Sequence, residues 1–144
     1  MASWAEFQSA APEFAKRVHL LLSTRKHLTM ATLRRDGSPR ISGTEIQFSD
    51  GQLRIGSMAG AVKAMDLRRD PRVAIHGPTH DPQWSGRWLG EAKIAGRAIE
   101  VLADDGAHAF RIDIEEAVVT SLGGKGLRIE SWAPRRGYRS TSRE

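Results

Sequence analysis

"IGSMAGAVKAMDLRRDPRVAIHG" (55–77) is the stretch that decides how this chain is read. Two short β-branched runs, around Ile55 and over 73–75, flank a turn of small residues, the isolated Lys63, and a basic stretch that stops at Asp70 and Pro71. Residues 61–69 have the make-up of a short helix, which must end before Pro71 because the residue preceding a proline avoids the α conformation. The segment therefore predicts strand, turn, helix, strand. At such a turn, unpaired backbone N–H groups and the positive end of the helix dipole favour an anion, and Ala59, Gly60 and Ala61 leave it room. Lys63 in the first helical turn opposes the dipole. A bound phosphate would supply the compensating charge, and the Ser57 hydroxyl can donate to it. The same residues also read as a plain turn followed by a solvated lysine, and the pattern is neither a Walker loop nor a G-x-G-x-x-G fingerprint.

Upstream of this stretch, Pro12 and Glu13 open a run in which Phe14, Val18, Leu21 and Leu22 recur at helical spacing, followed by Arg25 and Lys26. Residues 1–26 are read as an N-terminal helical segment with cations near its C-terminal end. From residue 28 the texture changes to short β-like runs at 28–33, 40–48, 52–56, 72–76, 87–102, 109–114, 117–122 and 127–132. Turn sequences (RRDGSP, SDG, DDG, GGKG) separate several of them. Phe110, Ile112 and Ile114 alternate with charged residues, as in a half-buried strand. Over 40–48, Ile41 falls out of phase with Ile46 and Phe48, which predicts a bulge near Gly43 or cover on both faces. The pattern predicts a mainly β (α+β) fold, an antiparallel barrel with one short helix after its third strand. Residues 133–144 read as a mobile basic tail.

At 144 residues the chain reads as a single domain over 1–144. It has no cysteine, which excludes disulfides, thiolate catalysis and cysteine-ligated zinc and fits a reducing cytoplasm. Its opening residues lack the pattern of a secretion signal, and no window has the apolar length of a membrane span, so no membrane partner is expected. Lys and Arg outnumber Asp and Glu by 22 to 17, a net charge of +5 that favours an anionic partner. The few aromatics form no stacking platform, so nucleic acid is not the expected partner. His76 and His80 are four apart, but Gly77 and Pro78 between them break the helical geometry of a zinc pair, and no metal site is assigned. In the loop at 78–88, Trp84 can stack on a planar ring and Arg87 can pair with an anionic substrate, with His80 beside them. Trp88 shares parity with Ala92 and Ile94 and reads as core. No general acid or base stands out, although Glu45 and His80 are suitable types, and catalytic residues remain unassigned.

The ordered set "LTMATLRRDGSPRISGTEIQF", "GQLRIGS", "AVKAMDLRRDPRVAIHG", "GEAKIAGRAIEV" and "RIESWAPRRGYR" resembles the pyridoxamine 5'-phosphate oxidase-like, flavin-binding split-barrel superfamily. The resemblance implies a six-stranded split β-barrel with Greek-key character and a homodimer with cofactor sites at its interface. It also implies an oxidoreductase that uses FMN, or a deazaflavin of the coenzyme F-420 type, on a small-molecule substrate. Carried over by position, the family's phosphate-binding lysine falls on Lys63 and its hydroxyl residue on Ser57. The strand along the flavin falls on Ser42 to Gln47, with the backbone of Thr44, Glu45 and Ile46 expected near the ring. Trp132 and Arg139 match residues given by the second subunit, with Arg135 and Arg136 as substitutes. The chain departs from the oxidase in three places. Ser42 stands where the oxidase has a phosphate-binding arginine, Val62 stands where a second cation is frequent, and 102–109 is only a turn where the oxidase carries substrate-binding residues. Vitamin chemistry is therefore not implied, and a deazaflavin-dependent reductase or a non-catalytic flavin or haem binder are the alternatives.

Overall fold

The computed structural model describes residues 1–144. The N-terminal segment is two helices instead of one: α1 (Trp4–Ala10) and α2 (Pro12–Leu22). Ser3 and Glu6 cap α1 reciprocally, Glu6 N–H donating to Ser3 Oγ (3.1 Å) and Ser3 N–H to Glu6 Oε1 (3.4 Å). Ala11 leaves the helical region (φ −143°, ψ 68°), and Pro12 then starts α2 where its missing N–H costs nothing. Phe14, Val18, Leu21 and Leu22 form the buried face of α2, as their spacing predicts. The helix ends at Leu22, so Arg25 and Lys26 lie beyond its last turn.

Nine strands follow: β1 (Leu28–Leu33), β2 (Pro39–Thr44), β3 (Ile46–Ser49), β4 (Gln52–Ser57), β5 (Arg72–His76), β6 (Glu91–Val101), β7 (His108–Gly123), β8 (Gly126–Ala133) and β9 (Gly137–Arg143). Helix α3 (Val62–Arg69) connects β4 to β5. All pairings are antiparallel, in the order β2-β1-β5-β6-β7-β4-β3, with β8 on the second half of β7 and β9 on β8. The meander β5-β6-β7 with β4 returning beside β7 is a Greek key. The architecture is a mainly β split barrel, but with nine strands where six are expected, and α3 follows the fourth strand. Against the eight β-like runs read from the sequence, three local features change the count. The 40–48 run bends at Glu45 into β2 and β3. The runs at 109–114 and 117–122 are one strand, in which Glu115 is an extra residue where the pairing shifts between Ala95↔Glu116 and Gly96↔Ile114. Finally, the tail is a strand, paired with β8 at seven positions from Leu127↔Arg143 to Ala133↔Gly137.

The phase of 40–48 also resolves differently from either expectation. Arg40, Ser42, Thr44, Ile46 and Phe48 all turn inward, and Ile41 simply points to solvent, 75% exposed. Inside the barrel, Met30, Leu53, Ile55, Leu67, Ile94, Phe110 and Ile112 form one core, continued under the helices by Trp4, Phe7, Phe14 and Trp132. Two buried carboxylates fasten the periphery to it. Asp66 on α3 accepts from Thr32 Oγ1 (2.7 Å), Arg40 Nε (2.7 Å) and Arg69 (3.2 Å), pinning α3 to β1 and β2. Burial pushes its carboxyl up, but the hydrogen bonds from Arg40, Thr32 and Arg69 outweigh that and hold it below the usual carboxylate range. Glu130 accepts from Arg17 (2.6 Å) and Tyr138 Oη (2.6 Å), tying α2 to β8 and β9.

Candidate functional site

β4 runs out at Ser57, residues 58–61 turn, and α3 begins at Val62. Gly60 lies at φ +72°, in the left-handed region that favours glycine. Lys63, the second residue of α3, reaches back and donates from Nζ to the carbonyl of Gly43 (2.8 Å). That carbonyl belongs to β2, which ends the strand order and has only β1 as a neighbour. Among the cations of α3, Arg68 is paired with Glu100 (2.8 Å) and Arg69 with Asp66 (3.2 Å), whereas Lys63 has no carboxylate partner. Beside it, Ser57 Oγ is buried and has no hydrogen-bond partner. The amides of Met58 and Ala59 make no hydrogen bond within the chain, but the Gly60 amide is taken, donating to His108 Nε2 at 3.0 Å. The free donors of this turn therefore lie one or two residues before Gly60. The crevice that Ser57 and Lys63 share with Met30, Ile55, Leu67 and Phe110 is too narrow for a water molecule. Any anion, phosphate included, would rest at its mouth, beside the β2 edge.

The β2 edge carries the other residues expected near a ring. Ser42 is half-buried and inward-facing, Thr44 is buried with Oγ1 donating to the Glu45 carbonyl (3.3 Å), and Ile46 packs against the core. Glu45 sits exposed at the bend, 3.8 Å from Lys26 and 3.7 Å from His27. Lys63 thus joins the helix start to β2, which carries Ser42 and Thr44 and leads through the bend at Glu45 to Ile46 at the start of β3. Chemically, the arrangement offers one uncompensated ammonium, one unpaired hydroxyl and the unpaired amides of Met58, Ala59, Val62 and Lys63 to an anion, beside a strand edge able to pair with polar groups.

No family model and no curated protein sequence matches this chain. Solved structures do. A pyridoxamine 5'-phosphate oxidase-related, FMN-binding protein from Nostoc punctiforme superposes with a TM-score of 0.66 at 13% identity, covering 93% of this chain and 96% of its own. PhzG from Burkholderia lata, in complex with tetrahydrophenazine-1-carboxylic acid, gives 0.65 at 11% identity, with 92% and 89% covered. HutZ, a haem storage protein from Vibrio cholerae, gives 0.53 at 19% identity, with 74% and 90% covered. The chain has the pyridoxamine 5'-phosphate oxidase-like split-barrel fold. At these identities the likeness is one of fold.

Within this split barrel the remaining candidates stand apart from Lys63. Trp132 is 4% exposed and packs on Phe7 (centroids 4.7 Å apart), so in the single chain it is a core residue. Arg139 is exposed on β9. Ser57 pairs with His108 and Trp132 with Ala117, which places them nine residues apart along β7, roughly 30 Å of strand. Arg136 is occupied, donating to Ser131 Oγ (3.0 Å) near Glu116. In the 77–90 loop, Trp84 is fully exposed, while His80 is held by Thr24 (2.9 Å) and its carbonyl accepts from Trp88 Nε1 (2.7 Å). His80 and Arg87 line a cleft of about 500 Å³ with Gln83, Trp88, Leu89 and Leu122. A second cleft, of about 350 Å³, lies between α2 and the β8–β9 face around Phe14, Arg17, Glu130 and Tyr138. No three His, Asp or Glu side chains converge as a metal site would require, and no helix is long and apolar enough to cross a membrane. Sequence reasoning missed His108, whose partner becomes visible only once the register of β4 against β7 is known.

Proposed function

We propose that this split barrel binds FMN and acts as a small cytoplasmic oxidoreductase on a small-molecule substrate. The observation that carries the proposal is the pairing of Lys63, the one α3 cation without a carboxylate, with the buried, unpartnered Ser57 Oγ. Lys63 Nζ would bind the phosphate while one of its three protons stays on Gly43, and Ser57 and the amides of Met58 and Ala59 would complete the donor set. The run from Ser42 on β2 through Glu45 to Ile46 would orient the ring. A bound flavin supplies hydride or electron transfer, and the protein supplies position and electrostatics. His80, Trp84 and Arg87 belong to a loop that can cover substrate. Only the short connection 102–107 separates β6 from β7, which starts at His108 instead of after 109, and this leaves no room for a substrate-binding helical segment and argues against a true pyridoxamine-phosphate oxidase.

The proposal extends to a homodimer with its cofactor sites at the interface. Apolar side chains crowd the surface near the turn: Met58 is 83% exposed, Val62 55% and Leu102 98%. In addition, Ile41, Ala31, Ala74 and Ala95 form one row in register across β2, β1, β5 and β6. A second copy packed on such a surface would remove it from water and can bring Arg139 to the partner's site. The deciding experiment is the absorbance spectrum of the purified protein, mass spectrometry of any small molecule released on denaturation, and titration with FMN and with a deazaflavin. Retained or saturable FMN supports the reading. An unperturbed flavin spectrum at all concentrations would sink it, and tighter deazaflavin binding would move the chain to the reductase alternative. A storage role, the described role of HutZ, would show as bound flavin or haem without reductant-dependent turnover.

A further inference from the structure

We infer that His108 is a positioning residue of the 57–61 turn, able to hold it only while its Nε2 is unprotonated, so that anion binding at Lys63 is lost on acidification. The inference rests on the phosphate reading of that turn. His108 opens β7 opposite Ser57 and is 8% exposed. The Gly60 amide donates to Nε2 at 3.0 Å, and a nitrogen that accepts carries no proton, so the ring's own proton is on Nδ1. The charged groups facing Nδ1 are Glu100 from β6, with Oε2 at 3.5 Å, and Arg68 from α3, with its guanidinium nitrogen at 3.2 Å. Across the strand pair β4 presents only the neutral Ser57. Arg68 can only donate and lies beside Nδ1, so the Nδ1 proton is turned toward Glu100 Oε2, an ion-pair contact at 3.5 Å, while Arg68 keeps its own two hydrogen bonds of 2.9 and 2.8 Å to Glu100. The result is a relay from the turn amide through the imidazole to an ion pair joining β6 and α3.

A second proton on the ring has one place to go. It would sit on Nε2, facing the Gly60 N–H donor to donor at 3.0 Å, and the hydrogen bond that holds the amide is lost. Strands β4 and β7 and the Glu100–Arg68 pair fix the ring, whereas Gly60 is exposed in a short turn and carries the conformationally freest residue type. The amide swings out, and the Met58 and Ala59 amides beside it are no longer held in place.

Two measurements decide the matter. In the ligand-free protein, ¹⁵N NMR of the imidazole should show a bare Nε2 and a protonated Nδ1 at pH 8, and the Gly60 amide resonance should shift on acidification in wild type but not in His108→Gln. FMN and riboflavin affinities are then compared from pH 8 to pH 5, the range over which histidines change charge. Because the phosphate takes up a proton in that range too, His108→Gln is the reference, offering a carboxamide oxygen in place of Nε2 without titrating. Wild type should lose about fivefold or more in FMN affinity relative to His108→Gln between the two pH values, with riboflavin unaffected. His108→Leu, with no acceptor, should bind FMN about tenfold more weakly at every pH. A His108→Leu protein with wild-type FMN affinity, or a Gly60 amide indifferent to the titration, would overturn the inference. If FMN does not bind at any pH, the cofactor reading fails, and the NMR result alone still decides whether His108 holds the turn.

Discussion

Replacing Lys63 by alanine separates ligand binding from folding in this chain. The ammonium has no carboxylate partner and gives one of its three protons to Gly43, so a phosphate can be met without breaking anything. Losing that charge-assisted hydrogen bond costs about 1.5–3 kcal/mol, or roughly 10- to 150-fold in FMN affinity. The folded chain loses one part-exposed bond to a strand-edge carbonyl, worth about 0.5–1 kcal/mol. It regains about 0.3–1 kcal/mol by removing a cation from a helix N-terminus, so the two nearly cancel and the melting temperature should hardly move. Riboflavin, lacking the phosphate, should bind wild type and Lys63→Ala alike. Ser57→Ala gives a crossed signature. Its unpartnered Oγ penalises the ligand-free chain, so the variant should melt at the same or a higher temperature, yet bind FMN about 2- to 10-fold more weakly. Isothermal titration of both flavins alongside calorimetric melting reads all four quantities. Equal losses for FMN and riboflavin in Lys63→Ala would refute the argument, because the lysine would then act on the fold or the ring and not on the phosphate.

Asp66→Ala strands Arg40 and Arg69, and since both keep some solvent contact the cost should be about 2–4 kcal/mol, below the usual range for breaking a fully buried pair. Because the folded Asp66 carboxyl lies below its ordinary value, its contribution is complete above about pH 4 and is lost as pH falls through the folded value. Wild-type melting temperature should therefore fall on acidification below pH 4 more steeply than that of Asp66→Ala. Gly96→Ala should cost about 1–3 kcal/mol in urea unfolding, since its Cβ would lie 1.9 Å from the Asp113 carbonyl oxygen; a neutral result would contradict the bulge register. Ile41→Asp, which charges the exposed row on β2, should convert a dimer to a monomer by light scattering without lowering monomer stability.

The turn and helix at 55–77 were legible because their signals are local: small residues, a proline stop and a cation at a helix start. Core strands such as 109–114 were legible because alternation directly reports a half-buried face. Ile41 misled for the same reason, since an apolar residue was assumed to need cover and here faces solvent. β9 escaped because nearly all its side chains are exposed, leaving no apolar period, although backbone pairing to β8 holds it in place. For the candidate site, the sequence could pair Lys63 with Ser57 as an expectation, but the contact of Lys63 with Gly43 spans 20 positions, and His108 meets Gly60 across 48. Trp132 shows the limit of reasoning by position, for only the placement of α1 reveals that Phe7 covers it.

Strand β9 has one more consequence, for solubility. It is the outermost strand beside β8, and it meets solvent with Arg139, Arg143 and the hydroxyls of Ser140, Thr141 and Ser142. An uncovered strand edge is a template for further strands, and charge on the last one is how soluble proteins stop the addition. Beneath it β8 carries Leu127, Ile129 and Trp132, a sequence much better suited to recruiting another chain. Proteolytic clipping near Arg136 would strip off the inert border and leave that adhesive ribbon at the margin. The basic C-terminal segment, whatever Arg139 does for a ligand, is then also what keeps this sheet from growing.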